Sequence, residues 1–247
     1  MSEPLFVHDK QLIHNAHHKS GSVWIAMIMS ALARKHGLKF NDGLSNDPIS
    51  KHPSSRFLYS YTSLNAFDHD NYVGSHMVRD PRDIVVSAYF YHQWSEEGWE
   101  QTYNPQCKAT YQDYLKGLPK SDGIHFEMRG WTAAVLTAME QWNYDNPRIA
   151  EVRYENLITE SDDNFRKLFE FWGIHPSHIE DCLEVARSYH MTRQTGRKVG
   201  EIKLGTHMRS GKPGQWQEHF DPSHKMYFKM KYGKLLIKLG YETDYNW

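Results

Sequence analysis

Apolar positions along the chain follow two rhythms. Short apolar runs bounded by turn residues read as strands, and stretches with apolar residues three and four apart read as helices. Gln11-Leu12-Ile13-His14-Asn15-Ala16 is strand-like, and the helix-compatible Ile25-Ala26-Met27-Ile28-Met29 follows after a short polar interval. Arg56 to Tyr61 reads as a second strand and Val73 to Val78 as a buried one. Residues 41–55 carry Asn, Asp, Gly, Ser and Pro and are expected to form a loop. Asp80-Pro81 marks a helix start, since Pro suits a first helical turn, and Ile84, Val85, Ala88 and Tyr91 then recur at helical spacing. Residues 131–142 and 162–172 have helical periodicity, and Trp172-Gly173 is a helix stop. A further helix is expected over 177–189, opened by Ser177, and an amphipathic one over 222–239, after Asp221-Pro222. Residues 92–128 are polar and aromatic, with Trp94, Trp99, Tyr103, Tyr111 and Tyr114. They read either as an acceptor-side lid or as a loop packed on its own small cluster.

The chain has 247 residues, enough for a large core, and shows no internal repeat or long linker. A single α/β domain over residues 1–247 is expected, with 92–128 as an insert.

The polar interval after the first strand, His17-His18-Lys19-Ser20-Gly21-Ser22-Val23-Trp24, is the stretch richest in chemistry. A Lys, a Gly and small hydroxyl residues where a strand turns into a helix suit an anionic phosphate. Backbone N–H groups and the helix dipole face the anion, Gly21 lets the backbone approach, and Lys19 adds a full charge. The order is not a Walker A loop, because Lys19 precedes Ser20-Gly21 and the required earlier Gly is missing. The second such place is Tyr72 to Tyr91, which contains Arg79-Asp80-Pro81-Arg82-Asp83. Arg79 falls at the carboxyl end of a strand, where α/β sheets bind ligands, and Ser87 lies about two turns into the next helix. Read without further context, this is equally a surface Arg and a helical Ser bonded to its own backbone.

Lys-Ser-Gly-Ser-x-Trp at 19–24 resembles the 5′-phosphosulfate loop of the cytosolic-type sulfotransferases, Pro-Lys-Ser-Gly-Thr-Thr-Trp. His18 stands for the Pro, Ser22 for the first Thr and Val23 for the second. Arg79 and Ser87 keep the spacing of the family residues that hold the donor's 3′-phosphate. Glu151-Val152-Arg153-Tyr154-Glu155-Asn156-Leu157 resembles the family strand ending in Tyr-Glu-Asp-Leu, whose Tyr reaches adenine. Met208 to Phe220 resembles the loop that closes over the 3′-phosphate, with Arg209 and Gly211 in register and Ser210 in place of a Lys. Lys212 is nearby and is one way of restoring that charge.

The resemblance implies a P-loop-like three-layer fold with a central, mostly parallel sheet flanked by helices. It implies a sulfotransferase that moves the sulfuryl group of 3′-phosphoadenylyl sulfate (PAPS) in line to an acceptor hydroxyl or amine, releasing adenosine 3′,5′-bisphosphate (PAP). Its nucleotide-binding candidates are Lys19, Ser20, Gly21, Ser22, Val23, Trp24, Arg79, Ser87, Tyr154, Tyr189, Arg209, Ser210 and Gly211. Lys19 and Ser87 are the catalytic candidates, Lys19 facing the oxygen that gains charge as the S–O bond breaks. Trp24 flanks adenine on this reading or is a core tryptophan of the first helix; Tyr189 stands where the family has an aromatic.

The general base stays open. Family members carry a His after the second strand, and the comparable Phe57 to Ser63 has none. A relocated His (His52, His69, or the loop's His17 and His18), a carboxylate such as Asp68 or Asp70, and an acceptor needing little help all fit. No Cys pair or His-x-x-x-His has a zinc-like spacing, so no metal is expected.

Composition narrows the partners. The formal net charge of −1 argues against general nucleic-acid binding. No run of eighteen or more apolar residues is present, so no membrane span is expected. Met1 to Lys10 lacks a basic start and an apolar stretch, and the two cysteines, Cys107 and Cys182, suit a reducing compartment, so a cytoplasmic protein is expected. The acceptor is a small molecule of unread identity. The alternatives are a PAP- or PAPS-binding homologue without turnover, which the missing His keeps open, and a nucleotide-kinase-like phosphoryl transferase, which needs a Walker A loop and Mg²⁺ ligands.

Overall fold

The computed structural model describes residues 3–44, 51–61, 70–105 and 107–247. In chain order the elements begin β1 (Gln11–Ala16), α1 (Ser22–Lys35), β2 (Phe40–Leu44), β3 (Phe57–Tyr61), β4 (Tyr72–Val78) and α2 (Pro81–His92). A short hairpin follows, β5 (Tyr103–Asn104) and β6 (Ala109–Thr110), then α3 (Tyr111–Gly117), α4 (Lys120–Arg129) and α5 (Trp131–Gln141). The chain continues through β7 (Ile149–Arg153), α6 (Tyr154–Thr159), α7 (Ser161–Phe171), α8 (Ile179–Ser188) and α9 (Met191–Thr195). It closes with α10 (Trp216–His219) and α11 (Pro222–Lys238).

These elements form two compact units, Met1–Arg79 with Trp142–Lys198, and Asp80–Gln141 with Val199–Trp247. The first unit is a five-stranded sheet in the order β2-β3-β1-β4-β7, and every pairing is parallel. Parallel pairing needs crossovers, and α1 supplies one between β1 and β2. From β1 the chain builds β2 and β3 on one side and β4 on the other. The order therefore reverses between β1 and β4, and ligands of such sheets bind beyond the carboxyl ends of the strands at that point. The segments leaving those ends are 17–21 and Arg79.

β1 and β4 are buried along their whole length, although β1 carries Gln11, His14 and Asn15 and β4 carries Ser75 and His76. Alternation puts Leu12, His14 and Ala16 on one face and Ile13 and Asn15 on the other, with His17 continuing the second row. Ile25, Ile28, Met29 and Leu32 of α1 are fully buried, as are Phe165, Phe169 and Trp172 in and just after α7. Helices α1, α6, α7 and α8 pack within this unit. The Trp172 indole N–H donates to Ser75 Oγ, which is also bonded to His14. The face carrying Ile13 holds a separate cluster of Ile13, Leu58, Tyr72, Trp142 and Ile149. Gly74 makes the β1–β4 approach possible, since a Cβ there would lie 2.5 Å from the Ile13 carbonyl oxygen.

In the second unit α4 packs on α2, α3, α5 and α11. Residues 92–128 are not a loop. They fold into the β5–β6 hairpin, α3 and nearly all of α4. Their aromatics form a cluster in which Trp99 stacks on Trp131 and Tyr111 meets His92 and Phe126. Glu127, fully buried, takes its hydrogen bonds from His92 and Thr132. A polar composition hid these helices because Asp113, Lys116, Lys120, Asp122 and Arg129 face outward while Glu127 is buried against His92 and Thr132.

Other boundaries also moved. Residues 41–44 belong to edge strand β2, not to the expected loop; residues 45–50 lie outside the described part. Pairing with β3 overrides the turn chemistry of Asn-Asp-Gly, at the expense of an irregular register between Asn41 and Leu44. The helix expected from Ser177 opens instead as a 3-10 turn over Pro176–His178, capped by the His175 side chain, before α8. Asp221 caps α11 with a reciprocal bond to His224, as its Asp-Pro start suggested.

Candidate functional site

The loop after β1 is shaped by two left-handed residues, Lys19 (φ 62°) and Gly21 (φ 109°). Such φ values are rare outside glycine, so the bend at Lys19 stores strain on the order of 1 kcal/mol. The bend is tied down by Ser20, whose N–H and Oγ both donate to the His17 carbonyl, at 3.1 and 2.7 Å. α1 then starts with no side-chain cap and no acidic residue in its first turn, while Arg34 and Lys35 sit in its last. That helix start offers N–H donors and positive dipole to an anion.

Arg79 directly follows the neighbouring strand β4, and its Nη1 donates to the Lys19 carbonyl at 2.9 Å. Its guanidinium lies 4.4 Å from the centre of the Tyr154 ring, the first residue of α6. Tyr154 in turn packs on the loop, since a Cβ at Gly21 would lie 2.9 Å from its Cδ2. Trp24 makes T-shaped contacts with Tyr154, Phe165 and His190 and is only 8% exposed. The first unit thus brings Lys19, Ser20, Gly21, Ser22, Trp24, Arg79 and Tyr154 together. Tyr189, just after α8, lines a cavity of about 460 Å³ with Val23, Ala26, Met27, Ser30 and Arg34 of α1.

The second unit carries the other candidates. Ser87 is half-buried on α2. Asp80 caps α2 by accepting from Arg82 N–H at 2.9 Å, and the Arg82 guanidinium packs on the rings of Trp216 and Trp247. Asp83, fully buried, accepts from the N–H groups of Gly214 at 2.7 Å and Trp216 at 2.9 Å. It pins the end of the Arg209–Gly211 loop to α2. Arg209 lies over the Phe90 ring at 4.1 Å, one turn along α2 from Ser87. The Lys212 ammonium pairs with Glu218. Sequence reading missed the role of Asp83; a helical Asp one turn after a cap residue was its only trace.

Of the base candidates, His52 and Asp70 lie at the amino end of the sheet. The His52 carbonyl accepts from Gln11 at the start of β1, and its ring is bonded to Asn41. Asp70 precedes β4 and pairs with Arg148 at 3.1 Å. β1 rises about 3.3 Å per residue, so both are remote from the loop after its carboxyl end. Asp68 and His69 lie outside the described residues.

A polar cluster lies next to that loop. His17 is 1% exposed, and burial, then the neighbouring His76, lowers its pKa well below the ordinary value. The His76 ring stacks on Trp142 with centroids 4.1 Å apart and makes a T-shaped contact with the His17 ring at 4.8 Å. Its Nδ1 is 2.6 Å from Glu151 Oε2, while Trp142 Nε1–H donates to Glu151 Oε1 at 2.9 Å. Burial raises the Glu151 carboxyl to about 7 and lowers His76 to about 3. The sequence signal was an Asn15–His17 row continuing Ile13 at a period of two, facing a histidine inside an apolar strand. Among the described residues no group of three or more His, Cys, Asp or Glu side chains is placed to hold a metal ion. No helix among them is long and apolar enough to cross a membrane.

The Sulfotransferase domain family model matches residues 8–240, running through both units, and the chain belongs to that family. It is similar to Sulfotransferase 2A2 of Rattus norvegicus, 25% identical over 240 residues, which cover 87% of this chain and 80% of that protein. Sulfotransferase 2A1 of Homo sapiens is 22% identical over 254 residues, covering 87% and 80%. Among solved structures it resembles mouse sulfotransferase SULT7A1 complexed with PAP, with TM-score 0.56, 16% identity and coverage of 94% of this chain and 86% of that one. It also resembles retinol dehydratase in complex with androsterone and inactive cofactor PAP, with TM-score 0.53, 13% identity and coverage of 92% and 80%. The fold is that of these proteins, a P-loop-like α/β architecture with a central parallel sheet flanked by helices.

Proposed function

We propose that this sulfotransferase-family protein moves the sulfuryl group of PAPS to a hydroxyl or amine of a small acceptor. The observation that carries the reading is the β1–α1 loop. It has Lys19 and Gly21 in left-handed backbone and an uncapped helix start behind them, and Arg79 is bonded to the Lys19 carbonyl. These features fit a 5′-phosphosulfate group held by the N–H groups of residues 20–24. Arg79 is read as a ligand of the 3′-phosphate. Ser87 and the segment Arg209-Ser210-Gly211 carry the same assignment by resemblance. Tyr154, Trp24 and Tyr189 are the aromatic candidates for adenine. Trp24 is almost fully buried against the rings of Tyr154, Phe165 and His190, which supports a packed wall rather than a free stacking face.

The acceptor oxygen or nitrogen attacks sulfur in line. The S–O bond to the bridging oxygen breaks, its electron pair stays with the departing PAP, and the Lys19 ammonium meets the charge that develops there. A group acting where charge appears lowers the barrier rather than the ground state. Retinol dehydratase, a structural relative, is in complex with androsterone, which supports an apolar hydroxyl acceptor as a first class to test. The absence of a His in Phe57–Ser63 favours a second reading, a PAP-binding homologue without turnover. Calorimetry with PAP in the absence of Mg²⁺, followed by transfer of labelled sulfuryl from PAPS to phenols and alcohols, separates the two. Binding with transfer supports the first reading, and binding without transfer the second. Failure to bind PAP rejects both.

A further inference from the structure

The base expected after β3 has no counterpart in sequence, yet the first unit buries a set of polar atoms next to the phosphosulfate loop. Both ring nitrogens of His17, both amide atoms of Asn15 and Nε2 of His76 are buried without a hydrogen-bond partner among the described residues. Leaving such groups unmet costs about 1–3 kcal/mol each, so their accumulation at one place calls for a function. All three side chains lie on the same face of the sheet, since Asn15 is in register with His76 and His76 with Glu151. His17 is two residues from Lys19 in the loop itself.

We propose that His17 is the group that takes the acceptor's proton, and that His76 with Glu151 is the positioning pair that fixes its ring. The inference rests on the sulfuryl-transfer reading above. Glu151 is held by Trp142 and by His76, so the His76 ring is locked against rotation and meets the His17 ring in a T-shaped contact. A neutral imidazole always keeps one nitrogen lone pair, and burial keeps His17 neutral. The acceptor O–H proton passes to that lone pair, directly or through one water, as the O–S bond forms from the O–H electron pair. The bridging S–O bond then breaks toward PAP, and the carboxylate behind His76 offsets the imidazolium charge. The other titratable group facing the pair is Tyr144 of the segment before β7, and His14 of β1 lies close by on the opposite face of the sheet. Burial lowers His14 to about 3 and raises Tyr144 above its ordinary value, so Glu151 is the one of these whose charge changes near pH 7.

The test uses the full chain, labelled PAPS and acceptors of graded acidity, from water and simple alcohols to 4-nitrophenol. With His17→Asn, transfer to water and alcohols falls by about a hundredfold or more, the size of a lost general base. Transfer to 4-nitrophenol, which ionises without help, falls by less than about tenfold, and PAP affinity stays within about threefold on the same reasoning. In Glu151→Gln the rise of transfer with pH through about 7 flattens, because the carboxylate that ionises there is gone. A uniform loss over all acceptors, or an unchanged rate in His17→Asn, overturns the inference. If His17→Asn does not fold, an unaltered pH profile in Glu151→Gln overturns it alone. If the unaltered protein binds PAP but transfers nothing, even to water, it is the sulfuryl-transfer reading that fails.

Discussion

Replacing Gly21 with Ala tests the loop geometry more directly than any charge change. The backbone there is at φ 109°, where an L side chain is strained by about 1–2 kcal/mol. The added Cβ would also lie 2.9 Å from Tyr154 Cδ2 and 3.8 Å from Met77 Cε. The Tyr154 ring cannot swing away easily, because Arg79 covers its face at 4.4 Å and Trp24 stands against it. Overpacking of this kind adds about 1–3 kcal/mol. The expected loss is about 2–5 kcal/mol, which at roughly 2–4 °C per kcal/mol for a chain of this size lowers Tm by about 5–15 °C. Thermal melts give that number, and calorimetry with PAP should show weakened binding, since relief of the contact turns the N–H groups of the helix start. The double variant with Tyr154→Ala separates the causes. Removing the ring abolishes the steric share and leaves the φ share, so the two substitutions should couple by about 1–3 kcal/mol. A Gly21→Ala protein that melts within a degree or so of the parent refutes the claim that this φ and this ring fix the loop.

Three other outcomes follow from the same geometry. Lys19→Met, which keeps the length of the side chain, should leave Tm nearly unchanged and lower the sulfuryl-transfer rate by about a hundredfold or more; single-turnover rates with PAPS check it. Asp83→Asn weakens the bonds to Gly214 and Trp216, at about 1.5–3 kcal/mol for each charged bond lost, and should expose those two amides to hydrogen exchange while the amides of β1 stay protected. Glu151 has its folded pKa raised to about 7, so it favours the folded state below its unfolded value near 4.5 and loses that contribution as pH rises through 7. The stability of the parent relative to Glu151→Gln should therefore fall by on the order of 2–3 kcal/mol between pH 4.5 and 7.5, measured by urea unfolding; a flat difference contradicts the burial argument.

What could be read from residues alone follows how local each cause is. The strand at Gln11–Ala16, the turn at Lys19–Gly21 and the Asp80-Pro81 helix start depend on neighbours in the chain, and all three stand where the pattern put them. β2 was missed because its pairing with β3, not its own Asn-Asp-Gly, makes it a strand. The helices of 103–129 were missed because Glu127 and His92 satisfy one another across a distance in sequence that no periodicity reveals. The His17–His76–Glu151 cluster was invisible for the same reason. Each residue is ordinary alone, and only the register of three strands puts them on one face.

β1 is the first strand of the chain and the middle strand of its sheet. Its two neighbours are β3, beginning at Phe57, and β4, beginning at Tyr72. On the ribosome, therefore, the strand that leads into the β1–α1 loop must wait, its ladder groups unmatched on both sides, until β3 and β4 have been made. Such non-local parallel pairing makes assembly slow, and the early chain exposes an apolar edge that invites wrong partners while it waits. The β1–α1 turn thus acquires its working shape only after β3 and β4, both later in the chain, have been made.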